Sequence, residues 1–317
     1  MSITALASTG QQTRSLDKSP RLFLSVMTWE FRRFRASRLF WFQALGFFCF
    51  SFFLTWVQRA TDNFSQVNVK TGVLLSGSVA GTSAEGLLHT LPTSLVVLVL
   101  FLPFVTVDGV TRDLQRRTHE LLLTTALPIW AYVWGRYLIG LMMSLGLAVL
   151  FLVATLGMGG LLHLTVTDYP APAIGTALLL WVGMVLSATI LVSSLGFALG
   201  TLLPRLSMLI KVVILVAWIV GGVVMPLGLG GATPPSWYVN WDPTSGITGY
   251  GLRLSYSLNL GPSITNEAQL QQLLVSAENK MADLAGWFAP HLLLAGASLA
   301  LVLVAAITFK RSRETLS

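Results

Sequence analysis

The stretch TVDGVTRDLQRRTHELLLTTALPIWAYVWGRYL, residues 106–138, separates two long apolar runs and holds a cluster of arginines. Its spacing places one set of residues on a single face of a helix; these are Leu114, Leu121, Leu122 and Thr125. Pro128 ends this helix, because proline lacks an N–H and clashes with the preceding turn. The stretch therefore predicts a short amphipathic helix that lies flat between two membrane spans.

The polar face of this predicted helix is highly charged, with Arg112, Arg116 and Arg117 beside Asp113 and Glu120. One interpretation is that a second protein binds this face. The other is that the arginines only hold the loop on the cytoplasmic side, as basic residues between spans usually do. The residues alone leave both interpretations open.

The composition of the 317-residue chain is that of a membrane protein. Hydrophobic residues make up 54% and charged residues 10%, with a mean hydropathy of +0.73, whereas soluble domains carry about 25% charged residues. The formal charge of +7 does not indicate a nucleic-acid binder, because the basic residues stand at the ends of apolar runs. Membrane lipid is therefore an expected partner, and nucleic acid is not.

Six apolar runs are each long enough to cross a hydrocarbon core of about 30 Å. They extend over residues 39–57, 95–110, 132–157, 174–202, 208–227 and 287–309. We therefore expect an all-α membrane protein in which residues 21–309 form a six-span transmembrane domain, with cytoplasmic tails at 1–20 and 310–317. Residues 58–92, between the first two runs, are expected to be a polar loop.

The distribution of Lys and Arg predicts which ends of the spans face the cytoplasm, because basic residues are concentrated in cytoplasmic loops. Of the 20 Lys and Arg residues, all but four lie in or next to the two tails and the connections that follow spans 2 and 4. The exceptions are Arg59, Lys70, Arg253 and Lys280. Both termini are therefore expected in the cytoplasm, and the chain in the cytoplasmic or inner membrane.

A second amphipathic helix is predicted over residues 21–38, directly before span 1. Aromatic residues and Met27 recur there at helical spacing, and arginines fill the intervening positions: Arg32, Arg33, Arg35 and Arg38. Such a helix can lie on the cytoplasmic leaflet with its arginines near lipid headgroups. The alternative is a simple basic flank of span 1.

The segment 228–285, between spans 5 and 6, is too long for a turn and is expected to contain short external helices. Asn266 with Gln269 three residues later can cap one of them. Apolar residues then define one face of this helix: Leu270, Leu273, Leu274, Ala277, Met281 and Leu284. The face could serve as a lid or docking surface, or it could only cover the outer end of the bundle.

The sequence lacks the motifs of several enzyme classes. It has no glycine-rich loop ending in Gly-Lys-Ser or Gly-Lys-Thr for a nucleotide phosphate, no His-Glu-x-x-His pair, and a single cysteine, Cys49, so no cysteine cluster for zinc. No acid stands clearly in the middle of a span, where a proton- or sodium-coupled carrier usually needs one. The chain is therefore expected to have no catalytic residues, metal or cofactor of its own.

Several stretches resemble ABC-2 type permeases, a family of ABC transporter membrane subunits. The run Arg117-Thr118-His119-Glu120-Leu121-Leu122-Leu123, followed by Thr125-Ala126-Leu127-Pro128, resembles the family's first cytoplasmic loop, with Arg117 where the family usually has Gly. Gly135-Arg136 is similar to the Gly-Lys pair that opens its third span. Trp29-Glu30-Phe31-Arg32-Arg33 resembles the elbow helix before span 1, and Trp241-Asp242-Pro243-Thr244 resembles an Asn-Pro-aromatic stretch, with Asp242 in place of Asn.

The resemblance implies the permease subunit of an ATP-driven transporter, by family expectation an exporter. A separate ATP-binding cassette ATPase would bind ATP and Mg²⁺, and a second six-span permease, identical or related, would complete a dimer. The N-terminal helix would be an elbow helix, and spans 2 and 5 would line the path. A cytoplasmic coupling helix between spans 2 and 3 would present Arg112, Asp113, Arg116, Arg117, Thr118, Glu120, Leu121 and Leu122.

Two other function classes also fit a six-span chain. A secondary transporter or channel would act without an ATPase, although the scarcity of charge in the middle of the spans argues against ion coupling. A membrane enzyme or assembly factor would need a polar catalytic cluster at one membrane interface, and the sequence shows none.

Overall fold

A computed structural model of the chain describes residues 19–67, 74–108, 128–167, 169–258, 266–277 and 284–314. Within these residues the fold is mostly helical, and six helices are long and apolar enough to cross a membrane. They are called spans 1 to 6 below: Arg38–Val57, Ala84–Thr106, Ile129–Thr165, Ile174–Leu202, Pro204–Gly228 and Gly286–Phe309. The expectation of a helical, multi-pass membrane protein is confirmed.

The shorter elements lie before span 1, between spans 1 and 2, and between spans 5 and 6. An N-terminal helix, Ser19–Ala36, precedes span 1, and span 6 belongs to a longer helix, Leu284–Glu314. An antiparallel hairpin is formed by β1 (Ala60–Val67) and β2 (Leu74–Ala80). The short helices after span 5 are Ser236–Trp241, Gly246–Leu258 and Glu267–Ala277.

The hairpin stands where the sequence predicted only a polar loop. Its strands pair from Ala60 with Ala80 to Val67 with Leu74, with one irregularity between Thr61 and Asn63. Gly and Ser, which suggested a loop, occur within the strands, Ser in both and Gly in β2. The fold is therefore not purely helical, because this short two-stranded sheet extends beyond the helix bundle.

Span 2 begins at Ala84, well before the predicted start at Leu95. Ser83 caps the helix, since its hydroxyl oxygen accepts a hydrogen bond of 3.2 Å from the Gly86 N–H. Pro92, which suggested the end of a loop, lies inside the helix. A proline there leaves the carbonyl four residues earlier without its helical donor, and the backbone of Gly249 approaches that carbonyl, on Leu88.

Span 3 is also longer than predicted, because its helix continues past residue 157 to Thr165. Gly159 does not end it. A Cβ atom at this position would lie 3.0 Å from Thr82 Cγ2 and 3.2 Å from Pro172 Cβ, so the glycine is a place of close packing between the helix and the loops around it. Span 5 contains a π-helical turn, Val220–Val224.

Span 2 is the central helix of the bundle. Its side chains contribute much of the main apolar core, including Leu95, Leu98, Val99 and Leu102, which are almost fully buried. Spans 1, 5 and 6 are far less buried and present large apolar side chains outward. Lipid or another membrane subunit must cover these faces.

The two ends of the bundle carry different elements. At one end, called the hairpin end, the hairpin, the start of span 2 and helix Gly246–Leu258 lie together. At the other, called the basic end, the N-terminal helix packs on the start of span 3, and the end of span 2 meets the start of span 5. Residues 109–127, which were predicted to contain the charged helix, connect spans 2 and 3 at the basic end.

Candidate functional site

The eight predicted coupling residues lie outside the residues that the structure describes. They are Arg112, Asp113, Arg116, Arg117, Thr118, Glu120, Leu121 and Leu122. The structure does describe the two stems of their segment, which are Asp108 after span 2 and Pro128 before span 3.

The first stem is held by an ion pair to span 5. Lys211 Nζ lies 2.8 Å from Asp108 Oδ2 and 4.8 Å from the centre of the Phe104 ring. The Asp108 side chain is 29% exposed and that of Lys211 11%, so the pair is shielded in part from solvent. The end of span 2 is therefore connected to the first turns of span 5 by a charged contact.

The second stem is held by the N-terminal helix. Trp130, in the first turn of span 3, stacks on Phe23 with ring centres 5.5 Å apart. Close packing continues one turn later, because a Cβ atom at Gly135 would lie only 2.9 Å from Val26 Cγ1. A larger residue at position 135 would therefore separate the two helices. The N-terminal helix rests on span 3 as well as preceding span 1.

A buried ion pair fixes this contact. Arg136 Nε lies 2.8 Å from Glu30 Oε1, and the two side chains are 3% and 2% exposed. Arg33 Nη1 lies 3.0 Å from the other carboxylate oxygen of Glu30. The Arg136 guanidinium also lies 4.6 Å from the Tyr132 ring centre and 5.6 Å from that of Trp29. Buried charges are tolerated when they are paired in this way.

The arginines of the predicted elbow helix have two different surroundings. Arg33 donates a hydrogen bond to the Glu30 carboxylate, whereas the side chains of Arg32, Arg35 and Arg38 are exposed. Phe31, one of the aromatic residues at helical spacing in this helix, is 43% exposed. Among residues 22–36 of this helix, whose side chains are described, only the acid Glu30 is buried; the sequence did not reveal this, because its partner lies in span 3.

At the hairpin end, Asp242 organises the segment between spans 5 and 6. Its buried carboxylate accepts hydrogen bonds from the Thr244 N–H and hydroxyl, at 2.9 and 2.6 Å. It also accepts from the N–H groups of Ile247 and Thr248, at 2.7 and 3.3 Å. These N–H groups belong to the first turn of helix Gly246–Leu258, where helical acceptors are missing. An Asn side chain has one acceptor oxygen, so it could not satisfy both pairs of donors.

Helix Glu267–Ala277 packs against the hairpin. Leu270 and Leu274 are buried, and the Gln271 amide group exchanges two hydrogen bonds with the backbone of Ser78. The predicted cap is confirmed, since Asn266 Oδ1 accepts from the Gln269 N–H at 2.8 Å. Leu273 was wrongly placed on the buried face, because it is 41% exposed.

The rest of the predicted face of that helix cannot be compared with the structure, since Met281 and the side chains of Ala277 and Leu284 lie outside the described part. The contacts that are described favour the interpretation that this helix covers other parts of the chain. Its occupied face is turned toward β2, not toward a separate protein.

The charged side chains at the basic end join helices to one another. Across the described residues, no group of three or more His, Cys, Asp or Glu side chains could hold a metal ion. Two ion pairs at that end, Glu30 with Arg136 and Asp108 with Lys211, join separate helices. The chain matches no protein-family model and no curated protein.

Proposed function

We propose that this chain is the transmembrane permease subunit of an ATP-driven exporter of the ABC-2 type, coupled to a separate ATP-binding subunit. One observation carries the proposal: the two spans that flank segment 109–127 are each tied to another helix by an ion pair, span 2 at its end through Asp108 and span 3 through Arg136, eight residues after Pro128. A segment that merely connects two spans does not need such attachments. A segment that a moving partner pushes does, because force is transmitted only through contacts that hold.

The two attachments lead to different parts of the bundle. Through Asp108 and Lys211, a movement of the segment reaches spans 2 and 5 together. Through Arg136 and Glu30, it reaches span 3 and the N-terminal helix. Spans 2 and 5 are the helices that would line the path, so the first attachment acts on the path directly. The second would let the N-terminal helix, lying on the cytoplasmic leaflet, move with span 3.

The charged segment supplies the docking surface in this proposal. Glu120 and the arginines would pair with charges on the ATPase, while Leu121 and Leu122 would anchor the helix to the bundle. ATP and Mg²⁺ would bind only to the partner. The concentration of Lys and Arg at this end supports a cytoplasmic location for the segment and for both termini.

The outward apolar faces support the presence of a second permease in the complex. Spans 1 and 5 expose large side chains such as Trp41, Phe42, Val213 and Val216. A second six-span chain could cover part of this surface and form the path with it. The rest would contact lipid.

Co-purification in a mild detergent tests the proposal. The tagged chain is expressed with the products of its neighbouring genes, and the bound proteins and their ATPase activity are measured. Arg116→Glu and Glu120→Lys should reduce the amount of bound ATPase or uncouple it. Arg205→Glu is a matched control, because Arg205 is exposed, carries the same charge and lies in a connection at the same end.

Two results would contradict the proposal. One is that the chain purifies without any P-loop ATPase while it drives substrate movement with an ion gradient, as a secondary transporter or channel would. The other is that Arg205→Glu weakens ATPase binding as much as Arg116→Glu, which would show a general effect of charge.

A further inference from the structure

A cavity at the hairpin end is not explained by the proposed coupling. It has a volume of about 260 Å³ and lies between the first turns of span 2, the end of span 5 and helix Gly246–Leu258. Small-molecule sites usually have volumes of about 300–1,000 Å³. The cavity is therefore of a size for a headgroup or small anion and not for a whole lipid.

One wall of the cavity is polar and cationic. Arg253 Nη1 lies 2.9 Å from His89 Nδ1, and both residues line the cavity. Because a guanidinium group can only donate, Nδ1 of His89 is the acceptor and carries no proton. His89 is then the neutral tautomer with its proton on Nε2. The pair thus combines a positive charge with an imidazole N–H donor.

Tyr250 adds a third polar group to the same cavity. Its hydroxyl oxygen accepts a hydrogen bond of 2.9 Å from the Gly231 N–H, so its own proton can be donated to another group. The described residues that line the cavity include no Asp or Glu. A wall of donors without carboxylates favours an anionic ligand, and a guanidinium group matches the oxygens of a phosphate particularly well.

The opposite wall is apolar and continues onto the outer surface of the bundle. It is formed by Pro92 of span 2 and by Val223, Pro226 and Leu227 near the end of span 5. Leu227 is 76% exposed, so the apolar wall leads out of the cavity toward the region where lipid covers span 5. A ligand with a phosphate group and an attached apolar chain would satisfy both walls.

The position along the helices agrees with such a ligand. His89 is in the second turn of span 2, which starts at Ala84, so it lies within roughly 8 Å of the helix start at 1.5 Å per residue. Leu227 is one residue from the end of span 5. Val223 is five residues from that end, so the two walls lie at the same depth, which is that of lipid headgroups.

We propose that this cavity binds the phosphate headgroup of an anionic phospholipid. Arg253 and His89 donate hydrogen bonds to the phosphate, and Arg253 also supplies a positive charge beside it. The lipid chains lie along Val223 and Leu227. The close approach of Gly249 to Leu88 brings the helix that carries Arg253 near enough to His89 to form the pair. The proposal does not depend on the transport function, because binding can be measured without an ATPase and without turnover.

Calorimetric titration of the delipidated full-length chain in detergent tests the site, with dioctanoyl-phosphatidylglycerol as the probe. We expect Arg253→Gln and His89→Gln to weaken binding, Arg253→Gln by about tenfold or more, since a charge-assisted hydrogen bond is lost. Arg59→Gln is the matched control: it removes the same charge from an exposed arginine that lies at the hairpin end over the Trp56 ring. It should change the affinity by less than about twofold, as exposed charges contribute little.

Two further measurements distinguish a lipid ligand from a soluble phosphate compound. Inorganic phosphate at millimolar concentration should fail to displace the lipid, because it lacks the contacts to Val223 and Leu227. Arg253→Lys keeps the charge and should bind with intermediate affinity, which keeps the test informative if Arg253→Gln does not fold. Equal lipid affinity in all variants would overturn the site. Displacement by inorganic phosphate alone would overturn the assignment to a lipid.

Discussion

Glu30 and Arg136 lie 2.8 Å apart with almost no exposure to solvent, although one belongs to the N-terminal helix and the other to span 3. The contact joins a segment that precedes the first span to the helix that follows the charged loop. Arg33 also contacts the carboxylate, and two aromatic rings lie beside the guanidinium. Together with the stacking of Phe23 on Trp130, this pair links the N-terminal helix to the bundle.

Glu30→Gln should destabilise the protein, because it leaves the Arg136 charge buried without its counter-charge. The expected loss in free energy of unfolding is about 3–5 kcal/mol for a broken buried pair, measured by thermal unfolding in detergent. The double variant with Arg136→Gln should lose less than the sum of the single variants. Arg32→Gln, an exposed arginine of the same helix, should have little effect, and an equally large loss there would contradict the assignment.

Lys211→Gln should impair coupling much more than stability. The pair with Asp108 is partly exposed, and such pairs contribute about 0–1 kcal/mol. In the reconstituted complex of the proposed function, substrate export per ATP hydrolysed should fall. The exchange of both charges, Asp108→Lys with Lys211→Asp, should restore part of it. If export is unchanged in Lys211→Gln, the contact between Asp108 and Lys211 does not transmit movement from segment 109–127 to span 5.

Gly249→Ala should be strongly unfavourable, since the new Cβ would lie 2.5 Å from the Leu88 backbone oxygen. A backbone carbonyl cannot rotate away, and overpacking of this kind costs about 1–3 kcal/mol. Gly157→Ala in span 3 is the matched control, because nothing lies within 4 Å of its Cβ position. That change should be neutral or stabilising by up to about 1 kcal/mol. Similar melting temperatures for the two variants would show that helix Gly246–Leu258 does not approach span 2 so closely.

Leu270→Ala should release helix Glu267–Ala277 from the hairpin. Leu270 is 1% exposed and Leu273 is 41% exposed. The two alanine variants therefore compare the loss of a buried leucine with the loss of an exposed one in the same helix. Truncating a buried leucine costs about 2–5 kcal/mol, which here should appear as faster cleavage of the segment by a protease added to the purified protein. Leu273→Ala should be cleaved at the rate of the unmodified chain. The reverse order would place the other face of the helix against β2.

Much of the architecture follows from the sequence because its cause is local or compositional. A run of about 20 apolar residues must form a helix in lipid, where every backbone N–H and C=O needs an internal partner. Span 1, span 4 and span 6 accordingly agree with the predicted ranges within one residue at each end. The Asn266 cap was also predictable, since donor and acceptor are three residues apart.

The predictions failed where a distant contact outweighed a local signal. Pro92 and Gly159 favour a helix end by themselves, yet both lie within helices because other segments pack against them. The hairpin was missed for a related reason, since part of its support comes from Gln271, far along the chain. Its polar residues resemble those of an exposed loop when this partner is unknown.

The sequence by itself predicted six membrane-spanning helices and a concentration of basic residues in the segments at one end, because hydropathy and charge act residue by residue. Only the tertiary structure decided which charges meet. Glu30 pairs with Arg136, Asp108 with Lys211 and His89 with Arg253, each across a large separation in sequence. Burial of an ionised group is unfavourable unless a partner is brought to it, and only the packing of the helices brings these partners together.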